Sequence, residues 1–348
     1  SEAGFDTAVV SAAELADFDL LGIAMRRMAG QSQFLWVKRG ENIQRKTTEP
    51  AAELQKTAIK TLLKESGEPR HYLYLQNAAL LALAREKMLI EGEENPGDSY
   101  NQVRDRLKTG LTFQGGFLRY GGTEHSLETG RWWLRDDSEV KTPLADHVEM
   151  FMVSELVKHE TMSFAEIESA VLADFRGLFT PPKGLISSVL NSYAKADEVG
   201  EWRLRENDSP TSRREDLEEM KSILVKIGKQ IGLTSKVEDS LVSWAGADNR
   251  ILYAFHLIAS GMIGELLKSK KTKAEQYFFV VPGGRTILIL DKLKNNPHLA
   301  KIQQDEWEFV KFRWVRRLAE NTTLTLETIT EQFGLDPLAE DDAQLPLF

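Results

Sequence analysis

Apolar residues recur at helical spacing through the first two thirds of the chain, then give way to short, nearly continuous apolar runs. At the start, Phe5 to Val10 and Gln33 to Lys38 have strand patterns, and Leu15 to Met28 is an amphipathic helix stopped by Gly30. Lys38 to Pro50 is charged, ends on a helix breaker and reads as a linker. Two strong helices follow, Ala51 to Lys64 and Tyr72 to Ile90, the second with Leu75, Ala78, Ala79, Ala82 and Leu83 as its buried stripe. After an acidic Gly-Pro loop, Tyr100 to Thr109 is a further helix, and Gly110 to Gly122 a glycine-rich connector.

The middle of the chain is bounded by two similar phrases, Gly130-Arg131-Trp132-Trp133-Leu134-Arg135-Asp136 and Gly200-Glu201-Trp202-Arg203-Leu204-Arg205-Glu206. Three amphipathic segments lie between them. The first runs from Pro143 to His159. The second starts at Ser163, with Glu166 three residues on as a capping-box partner. The third runs from Pro181 to Ala196. Two short strands flanking three helices is the layout of a winged helix. In a helix-turn-helix the third helix faces the groove, which here would present Lys183, Ser187, Ser188, Asn191 and Lys195. Arg203 and Arg205 alternate with Trp202 and Leu204, which gives the last strand a basic face.

Beyond Arg213 a long helix, Glu215 to Gly232, precedes a change of period. Ser240 to Trp244, Leu252 to Ala259, Gln276 to Pro282 and Trp307 to Phe312 read as strands, with helical pieces at Gly264 to Lys268 and Val315 to Glu320. The expected fold class is therefore α+β and mainly helical. It comprises a helical region over 1–122, a winged-helix module over 130–206, an α/β domain over 213–334, and an acidic tail over 335–348.

Composition narrows the function classes. There is no apolar run long enough to span a membrane, and no secretory signal at Ser1. The missing initiator Met suggests a piece of a longer protein. The absence of cysteine removes disulfides and thiolate metal sites, and fits a reducing cytoplasm. A net charge of -9 argues against coating nucleic acid by bulk charge. From Lys141 to Glu206, seven Lys and Arg stand against eleven carboxylates, most of them on the first two helices. Phosphate contacts supply most nucleic-acid affinity, so such a module binds weakly or borrows charge, and a protein-packing role stays open beside it.

Borrowed charge has a candidate source in Lys311-Phe312-Arg313-Trp314, where Lys311 and Arg313 interleave with aromatic rings, and in the basic loop Lys268 to Lys273. A strand-to-helix junction with a solvated face explains the same pattern. Val281-Pro282-Gly283-Gly284-Arg285 lacks the Lys-Ser/Thr of a P-loop and reads as a tight turn. A restriction-type nuclease core needs an acid on one strand and acid-x-Lys on the next. The strand Tyr253 to Ile258 carries no acid, and only Asp239 and Asp248 lie upstream, so a nuclease fold here would be degenerate. His256 on its apolar strand is a core histidine, and no metal-ligand spacing or catalytic triad motif is present.

The final residues Gln344-Leu345-Pro346-Leu347-Phe348 resemble the bacterial sliding-clamp binding motif. Leu345, Leu347 and Phe348 would supply apolar anchors and Gln344 amide hydrogen bonds. Several phrases resemble the C-terminal region of large bacterial DNA methylases of the adenine- or cytosine-amino type. They are Ala3-Gly4-Phe5-Asp6, Gly130 to Leu134 leading to Lys141-Thr142-Pro143-Leu144-Ala145-Asp146, Trp202 to Arg205, and the block around Gly283.

The methylase loops for the target amino group and for S-adenosylmethionine are absent. The resemblance thus implies a non-catalytic accessory or target-recognition region. The cofactor would belong to the parent enzyme, in a restriction-modification or phage-defence setting, with DNA and the clamp as partners. Two other hypotheses remain: a cytoplasmic protein-interaction scaffold, and an independent metal-dependent nuclease using Asp239 and Asp248.

Overall fold

The computed structural model describes residues 41–86, 116–123, 126–268 and 273–338, with isolated helical positions between 101 and 111. The strands and helix expected before residue 41, the basic loop at 269–272, and the tail with Gln344, Leu345, Leu347 and Phe348 lie outside these residues. The chain is a mixed α/β protein with two compact units. One comprises 1–144 and 172–183, and the other 145–171 and 184–348.

The first unit is built on helices α1 (Glu41–Ser66) and α2 (Tyr72–Arg85) and a hairpin of β1 (Phe117–Tyr120) and β2 (Arg131–Leu134). Two expectations change here. The linker before Pro50 is helical, because α1 begins at Glu41. A proline removes one hydrogen bond from a helix. The helix beyond it buries Ile59, Leu62 and Leu63.

The second change concerns Arg131 to Leu134, a strand read as one flank of the middle module. It pairs antiparallel with Phe117 to Tyr120, inside the stretch read as a connector, and not with Glu201 to Leu204. Gly130 makes this hairpin possible. Its φ is +80°, and a Cβ there would lie 2.6 Å from the Tyr120 carbonyl oxygen. Trp132 and Trp133 are buried with Leu63, Leu75 and Leu83 in one core.

The second unit contains most of the helices and strands of the middle and all of the C-terminal sheet. In order come α3 (Leu144–Lys158), β3 (Met162–Ser163), α4 (Phe164–Asp174), α5 (Lys183–Tyr193), β4 (Ala194–Ala196) and β5 (Glu201–Leu204). The three strands form a small antiparallel sheet in the order β3-β5-β4. The strand that closes this sheet before α4 is therefore Met162–Ser163, a two-residue strand with no sequence alternation to reveal it. The capping box at Ser163 is formed: its amide donates to Glu166 at 2.8 Å, and Glu166 N–H donates to its hydroxyl at 3.3 Å.

Next come α6 (Pro210–Gln230), β6 (Thr234–Glu238), β7 (Leu241–Ala245), β8 (Ile251–Leu257), α7 (Gly264–Lys268) and β9 (Gln276–Val281). They are followed by α8 (Thr286–Asn295), α9 (Pro297–Glu306), β10 (Trp307–Lys311), α10 (Phe312–Glu320) and α11 (Leu326–Phe333). The five strands form one sheet in the order β10-β9-β8-β7-β6, parallel across β8, β9 and β10 and antiparallel across β6, β7 and β8. Strand β6 escaped the sequence reading because it is a polar edge strand, exposed along most of its length.

Alternation within the buried strands divides the core between the two sheet faces. Phe278 and Val280 pack with residues of α6, α10 and α11, while Phe279 and Val281 pack with residues of α7, α8 and α9. Gly228 lets α6 approach the sheet closely, since a Cβ there would lie 2.8 Å from Trp244 Nε1. His256 is buried beside Trp307, with ring centroids 5.1 Å apart, as a core residue.

Candidate nucleic-acid interface

Helix α5 owes its position to its own periodicity. Ile186, Val189, Leu190 and Tyr193 are buried, which leaves two adjacent rows of residues beside that stripe. One row, Ser188 and Ser192, is held inside the second unit. Ser188 Oγ donates to an Asp291 carboxylate oxygen on α8. Ser192 Oγ donates to the Gly284 carbonyl at 2.8 Å. Ser188, expected to face outward, is thus an internal contact. The other row, Ser187 and Asn191, faces away, with Asn191 exposed and Ser187 half-buried.

The helix ends at Tyr193, so Lys195 stands on β4 and not on the helix. It lies directly opposite Arg203 in the antiparallel pair. Both are exposed, and neither makes an ion pair among the described residues. Like charges directly opposite on a sheet are destabilising, so this placement works against local stability. The turn between the strands is fixed by Asp197, whose carboxylate accepts from Val199 N–H at 3.0 Å and Glu201 N–H at 2.9 Å. That turn leaves Val199 83% exposed at its tip.

The remaining predicted residues separate. Lys183 is the first residue of α5 and is exposed. Arg205 lies past the end of β5 and closes the C-terminus of α5, donating to the carbonyls of Asn191 at 2.7 Å and Ser192 at 3.1 Å. Lys311 is buried and ion-paired with Asp336 at 2.9 Å, and Arg313 meets the same carboxylate at 2.8 Å. Arg313 hydrogen bonds, joined by those of Lys311, hold the Asp336 carboxyl down to about 2. The expected phosphate contact through Lys311 is therefore corrected: its ammonium neutralises an internal acid.

Sequence reasoning missed a buried charged network that anchors α3 and α5 to the five-stranded sheet domain. Lys292 Nζ donates to Asp146 at 2.6 Å, to Glu149, and to the Gly261 carbonyl at 3.0 Å. Glu149 also accepts from Tyr193 OH and from Gly261 N–H at 2.7 Å, and Asp146 accepts from Gly264 N–H at 2.9 Å. Two carboxylates share one ammonium, so burial raises the Asp146 pKa even with Lys292 beside it. Burial pulls Lys292 down, yet Asp146 and Glu149 carry it above its ordinary value.

Beside this network Arg285, 1% exposed, donates to the Ser192 and Ala259 carbonyls and pairs with Asp208. The signal for both was a cation at either end of a largely apolar stretch, Arg285 to Leu293.

The acids considered for metal catalysis do not converge. Asp239 precedes β7 and Asp248 follows it, so the strand alone separates them by roughly 17 Å. No group of three or more His, Cys, Asp or Glu residues able to hold a metal occurs among the described residues. Helix α3 borders a groove of about 460 Å³ lined by Met150, Val153, Val157, Tyr193, Arg213 and Met262. No helix among the described residues is long and apolar enough to cross a membrane. Comparison with family models, curated proteins and solved structures gives no match.

Proposed function

We propose that this chain is a non-catalytic accessory region of a bacterial DNA-modification enzyme that holds DNA through Asn191, Lys195 and Arg203. The observation that carries the reading is the cross-strand pair Lys195 and Arg203, two exposed cations with no internal counter-charge, beside an exposed Asn191. The order α3-β3-α4-α5-β4-β5, with its β3-β5-β4 sheet, supports a winged helix in which β4 and β5 are the wing.

The sheet domain supports a degenerate nuclease reading. A helix, three antiparallel strands, a crossover helix and a parallel strand follow in sequence. Its central strands pair Ser243 with Ala254, where that chemistry needs acids. A parent methylase would supply S-adenosylmethionine and catalysis, and the residues Gln344, Leu345, Leu347 and Phe348 the link to a sliding clamp.

Fluorescence anisotropy on a labelled duplex at several salt concentrations tests the DNA reading. Binding by the full chain should weaken with salt, and Lys195→Glu with Arg203→Glu should abolish it. Binding that ignores salt, or survives both changes, would sink it. Retention of the chain on immobilised sliding clamp, lost on deletion of 344–348, tests the tail.

A second reading, a protein-interaction scaffold, is favoured by the groove along α3, where Met150 is 55% and Val157 47% exposed. Met150→Asp and Val157→Asp should then remove a protein partner without changing DNA affinity.

A further inference from the structure

We infer that the α5 module holds nucleic acid by its phosphates alone, through the β4–β5 hairpin, and that target selection falls to another part of the protein. The inference rests on the DNA reading above and limits what that contact can do.

A helix that reads bases lies inside the major groove. The groove is about 12 Å wide and a helix with side chains about 10–12 Å across, so the helix must be bare on both flanks as well as at its tip. Helix α5 is not. Ile186, Val189, Leu190 and Tyr193 face its own core. Ser188 is tied to Asp291, and Ser192 to Gly284 and Arg285, which covers a second flank with α8 and the turn before it. Arg205 closes the C-terminal end. The buried charges Asp146, Glu149 and Lys292 fasten α3 to the same sheet domain, so the cover cannot swing away without exposing an uncompensated network.

Beyond its exposed N-terminal residues Lys183 and Gly184, what stays open is one row, Ser187 and Asn191, continued by Lys195 and Arg203. A single exposed row can rest against a phosphate backbone but cannot descend to base edges. Two cations on directly opposite residues of a strand pair, whose Cβ atoms lie about 5 Å apart, suit neighbouring phosphate oxygens. The hairpin itself offers two ionic contacts, Lys195 and Arg203, so the salt dependence it contributes is shallow, with a log–log slope of about −2.

The test uses the full chain and a library of duplexes with a randomised centre. Bound and unbound pools should have the same composition, and individual sequences should bind within about threefold of one another. Lys195→Glu and Arg203→Glu should each weaken binding to every sequence alike and flatten the salt dependence by about one contact. Asn191→Ala and Ser187→Ala should leave the ranking of sequences unchanged. Enrichment of a motif that disappears in the Asn191→Ala variant would overturn the inference while leaving DNA binding intact, since α5 would then be reading bases. Salt-dependent binding unaffected by the two Glu variants would overturn it by placing the contact elsewhere. No binding by the full chain to any duplex would overturn the DNA reading itself.

Discussion

The guanidinium carbon of Arg285 lies 3.4 Å from the centroid of the Tyr193 ring. Arg285 is the last residue of the Gly283–Arg285 turn, and Tyr193 is the last residue of helix α5. A cation over an aromatic face, out of water, is a strong local attraction. Here it joins the end of α5 to the start of α8 on the sheet domain. Burial, with Glu149 nearby, raises the Tyr193 hydroxyl well above its ordinary pKa, so the ring stays neutral.

Arg285→Ala should therefore be severe. It removes the partner of Asp208 and the donor to the Ser192 and Ala259 carbonyls. Breaking one side of a buried pair costs about 3–5 kcal/mol. Arg285→Lys should rescue little, because an ammonium has no planar fork to reach three acceptors while stacking on a ring. Urea unfolding of both variants provides the check; a near-normal midpoint for the Lys variant would show that charge alone suffices.

Lys292→Met should make stability depend on pH. The Asp146 pKa is already raised by burial, so its contribution is fully present below the unfolded value and is lost as pH rises through the folded one. Removing Lys292 takes away the influence that lowers it, which carries the loss further. The variant should be more destabilised at pH 7 than at pH 5, as read from urea midpoints at the two pH values.

Asp336→Asn should show the opposite window. The native carboxyl is held at about 2 against an ordinary value of 3.8, so its contribution is present above pH 4 and disappears as pH falls towards 2. The variant should lose stability at pH 6, by about 3 kcal/mol as the ion pairs of Asp336 with Lys311 and Arg313 are removed, and should differ less from the parent chain near pH 2. Acid titration followed by tryptophan fluorescence measures both.

Gly228→Val should loosen the packing of α6 on the sheet. Even the first added carbon meets the Trp244 ring at 2.8 Å and the Ser235 hydroxyl at 2.5 Å, and overpacking of this kind costs about 1–3 kcal/mol. The Trp244 hydrogen bond to the Leu224 carbonyl, 3.1 Å long, should be strained at the same time. A fall in thermal midpoint with altered near-ultraviolet circular dichroism from Trp244 is the expected result.

The sequence by itself determined those elements whose signal is local. The helical stripe of α5, the capping box at Ser163, and the buried strand Gln276–Val281 follow from spacing and residue type, because helix and strand periods and end caps act over a few residues. It also put Arg203 on the basic face of a strand. Tertiary structure alone decided which strand Arg131–Leu134 pairs with, since two Trp-bearing strands look alike until the chain places one beside Phe117–Tyr120.

Only the fold, likewise, separated Lys195 and Arg203, which face out, from Lys311, which neutralises Asp336, and from Arg205, which caps a helix. A basic residue carries the same charge in either role; burial and the nearest carboxylate decide its use. The Lys292 network joins residues more than 140 positions apart, beyond the reach of any local pattern. That distant pairing is what fastens α3, and with it the neighbouring α5, to the sheet domain.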